Sequence, residues 1–264
     1  MELWPSSLGA LRFGLTDQPE KYDISCSRNQ WRKKGIRVSD AATRFYQRNY
    51  DRVTALGELN TAVGPTHRYH RVLTYLDQEP PSDLLELGYG HGHLVAAVAA
   101  RVRGKYNIID IVDRRDEIAL PSNVVTHISN LDNDFPIPSQ SMDAVIALMI
   151  VEHLYDPFHS FSEIARILRP GGKAYVNLPN IASIRCRLEL LFGKMPVTSS
   201  GDWFENREWD GNHIHYFVIA DVKRLAAIYG LKMLALHPVG KYGRVKALWP
   251  SLLCHEITFV FERA

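Results

Sequence analysis

Three glycines at alternate positions, Gly88, Gly90 and Gly92, close the short apolar run Leu84-Leu85-Glu86-Leu87 and precede an Ala- and Val-rich stretch from Leu94 to Val102. A glycine loop between a strand and a helix constrains this chain more than any other feature. Its backbone must turn sharply, and it lets a ligand approach where a Cβ would stand in the way. A dinucleotide fingerprint, G-x-G-x-x-G, would place its third glycine at position 93, which is His93. The spacing here is G-x-G-x-G, with Glu86 two residues ahead of it. Alone, such a loop serves either a nucleotide-like cofactor or tight strand–helix packing. Asp110 lies on the next apolar strand, 22 residues after Gly88. A carboxylate there either accepts both hydroxyls of a ribose or caps the loop that follows, with Asp113 as the second ribose candidate.

The pattern around the loop repeats. Strands are expected at Leu84–Leu87, Asn107–Val112, Val124–Ile128 and Asp143–Ile150, with a fifth through Ala174, Val176 and Leu178. The stretch from Pro157 to Leu168 carries apolar residues at helical spacing, and Pro170-Gly171-Gly172 ends it in a tight turn. Strands alternating with helices predict an α/β fold with a doubly wound, mostly parallel sheet. Leu231–Leu236 and Ile257–Phe261 bring the sheet to seven strands and lack a helix of normal length between them, so an antiparallel edge pair is expected. Upstream, Ser39-Asp40 caps a helix expected to run to about Leu56, and Pro65-Thr66 opens a second with Tyr69, Val72, Leu73 and Leu76 on one face. The chain divides into an N-terminal arm with helices over residues 1–80 and a catalytic-type domain over 81–264, with an insertion at about 181–216.

These residues resemble a known family. Glu86 to Gly92, Asp110, Ser141-Met142-Asp143-Ala144-Val145, Val151-Glu152-His153-Leu154-Tyr155-Asp156-Pro157 and Leu168-Arg169-Pro170-Gly171-Gly172 are similar to the ordered motifs of the class I S-adenosylmethionine (SAM)-dependent methyltransferases. Leu178-Pro179-Asn180, the stretch from Arg187 to Thr198, and Asn212-His213-Ile214-His215 resemble more narrowly the MetW-like, type 11 proteins. The resemblance implies a Rossmann-like fold and SAM as cofactor. It implies that Gly88, Tyr89, Gly90 and Gly92 line the cofactor with Glu86 beneath the loop, and that Asp110 holds the ribose. Adenine then meets Asn130 and Leu131, the former through its amide oxygen, with Asp132 as an alternative; Leu148 and Met149 flank the cofactor.

Methyl transfer to oxygen is helped by a base. His153 follows strand four, where a parallel sheet opens its ligand crevice, and His213 and His215 would share one face of an extended segment. These three are the catalytic candidates, against a helix-capping or loop-ordering role for the Glu152-His153 pair. Some relatives bind a divalent ion through E-x-x-E-H. Here Met149 stands in place of the first carboxylate, so no metal is expected. In the insertion, Ile181, Ile184, Leu188, Leu191 and Phe192 suit an amphipathic helix, and Trp203, Phe204 and Trp209 lie among acids and Arg207. A lid over the site is expected, with a satellite core or a homodimer contact as the alternatives.

Composition narrows the function. Lys plus Arg is 31 against 29 for Asp plus Glu, a formal charge of +2. That gives no electrostatic case for a nucleic-acid partner, although Arg28, Arg32, Lys33, Lys34 and Arg37 cluster around Trp31. No apolar run approaches the ~18 residues of a spanning helix, and the first residues make a poor signal peptide. Three scattered cysteines suit a reducing cytoplasm. The expected function is transfer of a methyl group to a small-molecule substrate, at a hydroxyl oxygen. The competing reading is a SAM-binding accessory protein that serves a partner enzyme without turnover.

Overall fold

A computed structural model describes residues 63–90, 92, 94–113, 115, 116, 118–199 and 209–264. The expected helix over 39–56, the basic cluster at 28–37, and Trp203 and Phe204 lie outside these residues.

In chain order the elements that frame the site are α1 (Arg68–Gln78), β1 (Leu84–Leu87), α2 (Val95–Ala99), β2 (Tyr106–Asp110), β3 (Val124–Ile128) and β4 (Met142–Leu148). A single 3-10 turn (Val151–His153), α3 (Pro157–Ile167), β5 (Leu168–Pro179) and α4 (Ile184–Leu191) follow. After a second 3-10 turn (Trp209–Asn212) come α5 (Ile219–Ile228), β6 (Leu231–Pro238), α6 (Gly243–Lys246), α7 (Pro250–Leu253) and β7 (Glu256–Arg263). The strands form one seven-stranded sheet in the order β3-β2-β1-β4-β5-β7-β6. β1 to β5 pair in parallel, and β7 runs antiparallel between β5 and β6, which is the expected edge pair.

The sheet is covered on both faces, so its central strands are buried almost throughout rather than at alternate positions. Leu85 and Leu87 of β1 pack with Val145, Val176 and the α3 residues Phe161 and Ile164 on one side. Leu84 faces the other way, toward Val72 and Leu76 of α1, Val98 of α2, and Ile108 and Ile146. α3 begins where its sequence signals it should: Pro157 takes the first helical position, and the Asp156 carboxylate accepts from the Phe158 and His159 N–H groups.

Several boundaries differ from the sequence expectation, each for a local reason. β4 stops at Leu148 because Met149 has a left-handed φ of 53°, which turns the chain out of the sheet. Pro170-Gly171-Gly172 does not separate α3 from a short strand. Leu168 already pairs with Met142, Lys173 pairs with Ala144, and the residues between loop out as a bulge inside β5. α4 forms as expected, but its apolar stripe points outward: Ile184, Leu188, Leu191 and Phe192 are exposed, and Cys186 is the buried residue of the helix. Periodicity tells which residues share a face, not which way that face turns. No helix among the described residues is long and apolar enough to cross a membrane.

In the strand order, β1 and β4 lie side by side while their neighbours are added in opposite directions. A parallel sheet leaves a crevice at such a reversal, at the carboxyl ends of the strands.

Candidate functional site

The carboxyl ends of β1, β2 and β4 border one cavity of about 750 Å³, a size suited to a cofactor or a small ligand. Gly88 and Gly90 line it with φ of 66° and 57°. The three glycines have different tasks. A methyl group added to Gly90 would meet nothing within 4 Å, so this residue keeps space open at the cavity wall. A Cβ on Gly88 would come 2.9 Å from Ile150 Cδ1, and one on Gly92 would come 2.4 Å from Ile118 Cδ1. Gly92 does not line the cavity, and its left-handed φ of 72° is what favours glycine there.

Asp110 ends β2 on the same wall, 6% exposed. Its Oδ2 accepts from the Tyr89 N–H at 3.2 Å and its Oδ1 from the Val112 N–H at 3.0 Å. The carboxylate thus ties the glycine loop to the strand end while presenting negative charge to the cavity, and Tyr89 lines the cavity beside it. Asp113, the second ribose candidate, is not there. It pairs with Arg115, whose hydrogen bonds hold its carboxyl down to about 2.

Glu86 lies behind the loop and off the cavity, where it accepts from the hydroxyls of Tyr69 and Tyr106. Burial pushes it up to about 8; the Tyr69 bond pulls the other way and the Asp110 charge adds to the rise. Asn130 and Leu131 line the cavity after β3. The Asn130 oxygen expected to face adenine already accepts from the Asp132 N–H at 2.9 Å, while its buried Nδ2 has no acceptor among the described residues. The group left for a ligand is a donor. Asp132 is off the cavity, accepting from the Tyr155 N–H at 2.8 Å. Leu148 and Met149 complete this wall, with the Met149 N–H donating to the Asn177 carbonyl at 3.0 Å.

The three candidate histidines are separated. His153 lines the cavity. His213 sits behind it, with ring centroids 4.7 Å apart and its Nε2 4.0 Å from Glu152 Oε1. His215 does not share that face: its Nε2–H donates to the Tyr155 carbonyl at 3.1 Å, off the cavity. Burial lowers His153, and burial together with His153 holds His213 down to about 4, so both imidazoles are neutral at pH 7. Glu152 is fully buried, and desolvation raises it to about 8.

Two parts of the wall were not expected from the sequence. The start of α1 contributes Thr66, Arg68 and Tyr69, and the segments flanking β7 and β6 contribute Val239, Gly240, His255 and Glu256. Arg68 Nε lies 3.2 Å from Glu256 Oε1, which joins the two across 188 residues. The turn glycine Gly240, whose N–H donates to the Thr66 carbonyl at 3.2 Å, was the legible hint. By contrast, none of the described residues of the insertion lines the cavity.

A protein of Mycolicibacterium smegmatis named as a probable S-adenosylmethionine-dependent methyltransferase is 38% identical over 102 residues, which are 37% of this chain and 38% of that protein. The malonyl-[acyl-carrier protein] O-methyltransferase of a Marinomonas species is 27% identical over 158 residues, 57% of this chain and 53% of the relative. The chain thus matches about two fifths to one half of the length of these curated relatives. An S-adenosylmethionine-dependent methyltransferase of Mesorhizobium loti superposes with a TM-score of 0.56 at 12% identity, covering 75% of this chain and 98% of that one, which supports the fold. The residues present suit SAM: Gly90 leaves room where a Cβ would stand, and Asp110 offers a buried carboxylate beside it. The methyltransferase-domain family matches residues 46–236, and the chain belongs to that family, with S-adenosylmethionine as its cofactor.

Proposed function

We propose that the protein transfers a methyl group from SAM to a hydroxyl oxygen of a small molecule. The observation that carries this reading is one cavity bordered at once by the glycine loop, the Asp110 carboxylate and the neutral imidazole of His153. One relative named as an O-methyltransferase adds support for oxygen as the acceptor atom.

When bound, SAM would supply a methyl carbon activated by its sulfonium, open to in-line attack by an acceptor oxygen with the neutral thioether as leaving group. The chain's residues then have three tasks. Asp110 holds the ribose hydroxyls by charge-assisted bonds, and Gly88 and Gly90 let the backbone come close. Leu131, Leu148 and Met149 keep water from that wall. The group formed by Glu152, His153 and His213 assists loss of the acceptor's proton. His153 faces the cavity, and its Nδ1 donates to the Asn212 carbonyl at 3.2 Å, so Nε2 bears the lone pair. His213 orients this wall and His215 holds the Tyr155 loop.

A cavity of this volume with an imidazole on its wall supports turnover over the accessory reading. We further propose division into residues 1–80 and 81–264, a cytoplasmic location in keeping with the buried free thiols of Cys186 and Cys254, and a homodimer that covers the outward apolar face of α4. No nucleic-acid partner is proposed.

The test is calorimetric titration of SAM followed by turnover with hydroxylated acceptors, in the wild type and in His153→Ala. SAM affinity should stay within about threefold while turnover falls ~10²–10⁴-fold. Loss of SAM affinity in His153→Ala would make the residue structural. Absence of SAM binding in the wild type would overturn the function.

A further inference from the structure

Glu152 is 0% exposed, and among the described residues neither of its carboxylate oxygens has a hydrogen-bond partner. Two orphaned acceptors on one buried carboxylate are a large cost to leave uncompensated. Against it stand His153 and His213, and one ligand atom from each of the three residues lies within 4.8 Å of the others.

The two imidazoles are set by their other nitrogens. His153 Nδ1 meets the Asn212 carbonyl at 3.2 Å, which can only accept, so Nε2 is its lone-pair nitrogen. His213 Nδ1 meets Thr198 Oγ1 at 2.7 Å, and that hydroxyl donates in turn to Asp210 Oδ2 at 2.6 Å. The hydroxyl's proton is thereby committed to Asp210, so it accepts from His213 Nδ1–H, and the Nε2 lone pair points toward Glu152, 4.0 Å away. An Nδ1–H held by a carbonyl or by a carboxylate-linked hydroxyl is the arrangement that fixes tautomer and ring direction in metal-ligating histidines.

We propose that Glu152, His153 and His213 hold a divalent transition metal, with an open coordination position toward the cavity. Two imidazoles and one carboxylate suit zinc, cobalt or iron better than magnesium or calcium. Three protein ligands leave the fourth position for an exogenous oxygen. Ligand atoms around a tetrahedral ion with ~2.1 Å bonds are about 3.4 Å apart. Here the three ligand atoms lie within 4.8 Å of one another, with His213 Nε2 4.0 Å from Glu152 Oε1, gaps that small side-chain rotations close. Met149, where a carboxylate would complete a sequence-local set, is not needed, because His213 arrives from sixty residues further on. The ion's place beside His153 puts it on the acceptor's side of the cavity. Its role there, lowering the pKa of a bound acceptor hydroxyl, rests on the methyl-transfer reading, whereas the binding site itself does not.

The experiment is titration of Co(II) into chelator-treated full-length protein, followed by d–d absorption and calorimetry, with SAM titrated in parallel. Wild type should bind one equivalent with an absorption typical of low coordination number. Glu152→Gln, which is isosteric and keeps the packing, and His213→Ala should each weaken that site more than ~100-fold, beyond the 10–100-fold usual for outer-shell changes. Both should retain SAM binding, which also reports that they fold. Thr198→Val should weaken cobalt ~10–100-fold, and His159→Ala, on α3 and outside the cluster, should leave it unchanged. No stoichiometric cobalt site in the wild type, or equal affinity in Glu152→Gln, would overturn the proposal. Cobalt binding without SAM binding would retain the metal site and remove the functional reading; SAM binding without cobalt would do the reverse.

Discussion

Replacing Asp110 by Asn changes one atom and one charge, yet the structure demands two acceptors at that position. Oδ2 receives the Tyr89 N–H and Oδ1 the Val112 N–H. An amide has a single oxygen, so one of these donors must face an NH₂ group whichever way the side chain turns. The shorter bond, to Val112 at 3.0 Å, is the better one to keep. Tyr89 then loses its anchor, and the loop from Gly88 to Gly90 loosens. Leaving one buried donor unsatisfied costs about 1–3 kcal/mol of stability. Ribose contacts also change from charge-assisted to neutral, a loss of ~1 kcal/mol for each of two hydroxyls. Together the two hydroxyls give about 2 kcal/mol, or roughly 30-fold in Kd. Calorimetry with SAM reads the second effect and urea denaturation the first. A variant that melts like wild type and binds SAM within about threefold would refute both roles assigned to this carboxylate.

Two further changes separate effects that the sequence presents as equivalent. Gly90→Ala should cost only ~1–2 kcal/mol, since its φ of 57° strains an L-residue but its methyl meets nothing; SAM affinity should fall further than stability, and an unaltered Kd would move the cofactor away from this wall. Glu86, raised by burial to about 8 from an ordinary 4.5, binds a proton in the folded protein that it lacks when unfolded near pH 6. Its contribution to stability is full below about pH 4.5 and is lost as pH rises through about 8, with a slope of at most about 1.4 kcal/mol per pH unit. Glu86→Gln should flatten that part of the stability curve in urea titrations from pH 5 to 9, and an unchanged slope would mean that the two tyrosine hydroxyls keep Glu86 ionised.

The parallel pairing of β1 to β5 followed from short apolar runs that alternate with stretches of helical spacing, because connection length and period are local properties of a chain. The glycine loop and Asp110 were legible for the same reason: a strand, a turn and the end of the next strand lie within 27 residues, Leu84 to Asp110. Tasks within the loop were not. A Cβ on Gly88 or Gly92 would press on the side-chain ends of Ile150 and Ile118, which come from distant loops, while one on Gly90 would face open space. Pairing β7 between β5 and β6, rather than at the edge, also depends on contacts no local window contains.

Fold class and a crevice at the carboxyl ends of the strands were legible in the chain alone, since turn chemistry and period are local. Which histidine meets the cavity was set by packing, because His153, His213 and His215 carry the same side chain and differ in what surrounds them. Packing likewise brought Arg68 and Glu256, 188 residues apart, onto the cavity wall, and set the buried Glu152 within reach of two imidazoles. Burial and long-range contact set those outcomes, and neither is a property of any single stretch of chain.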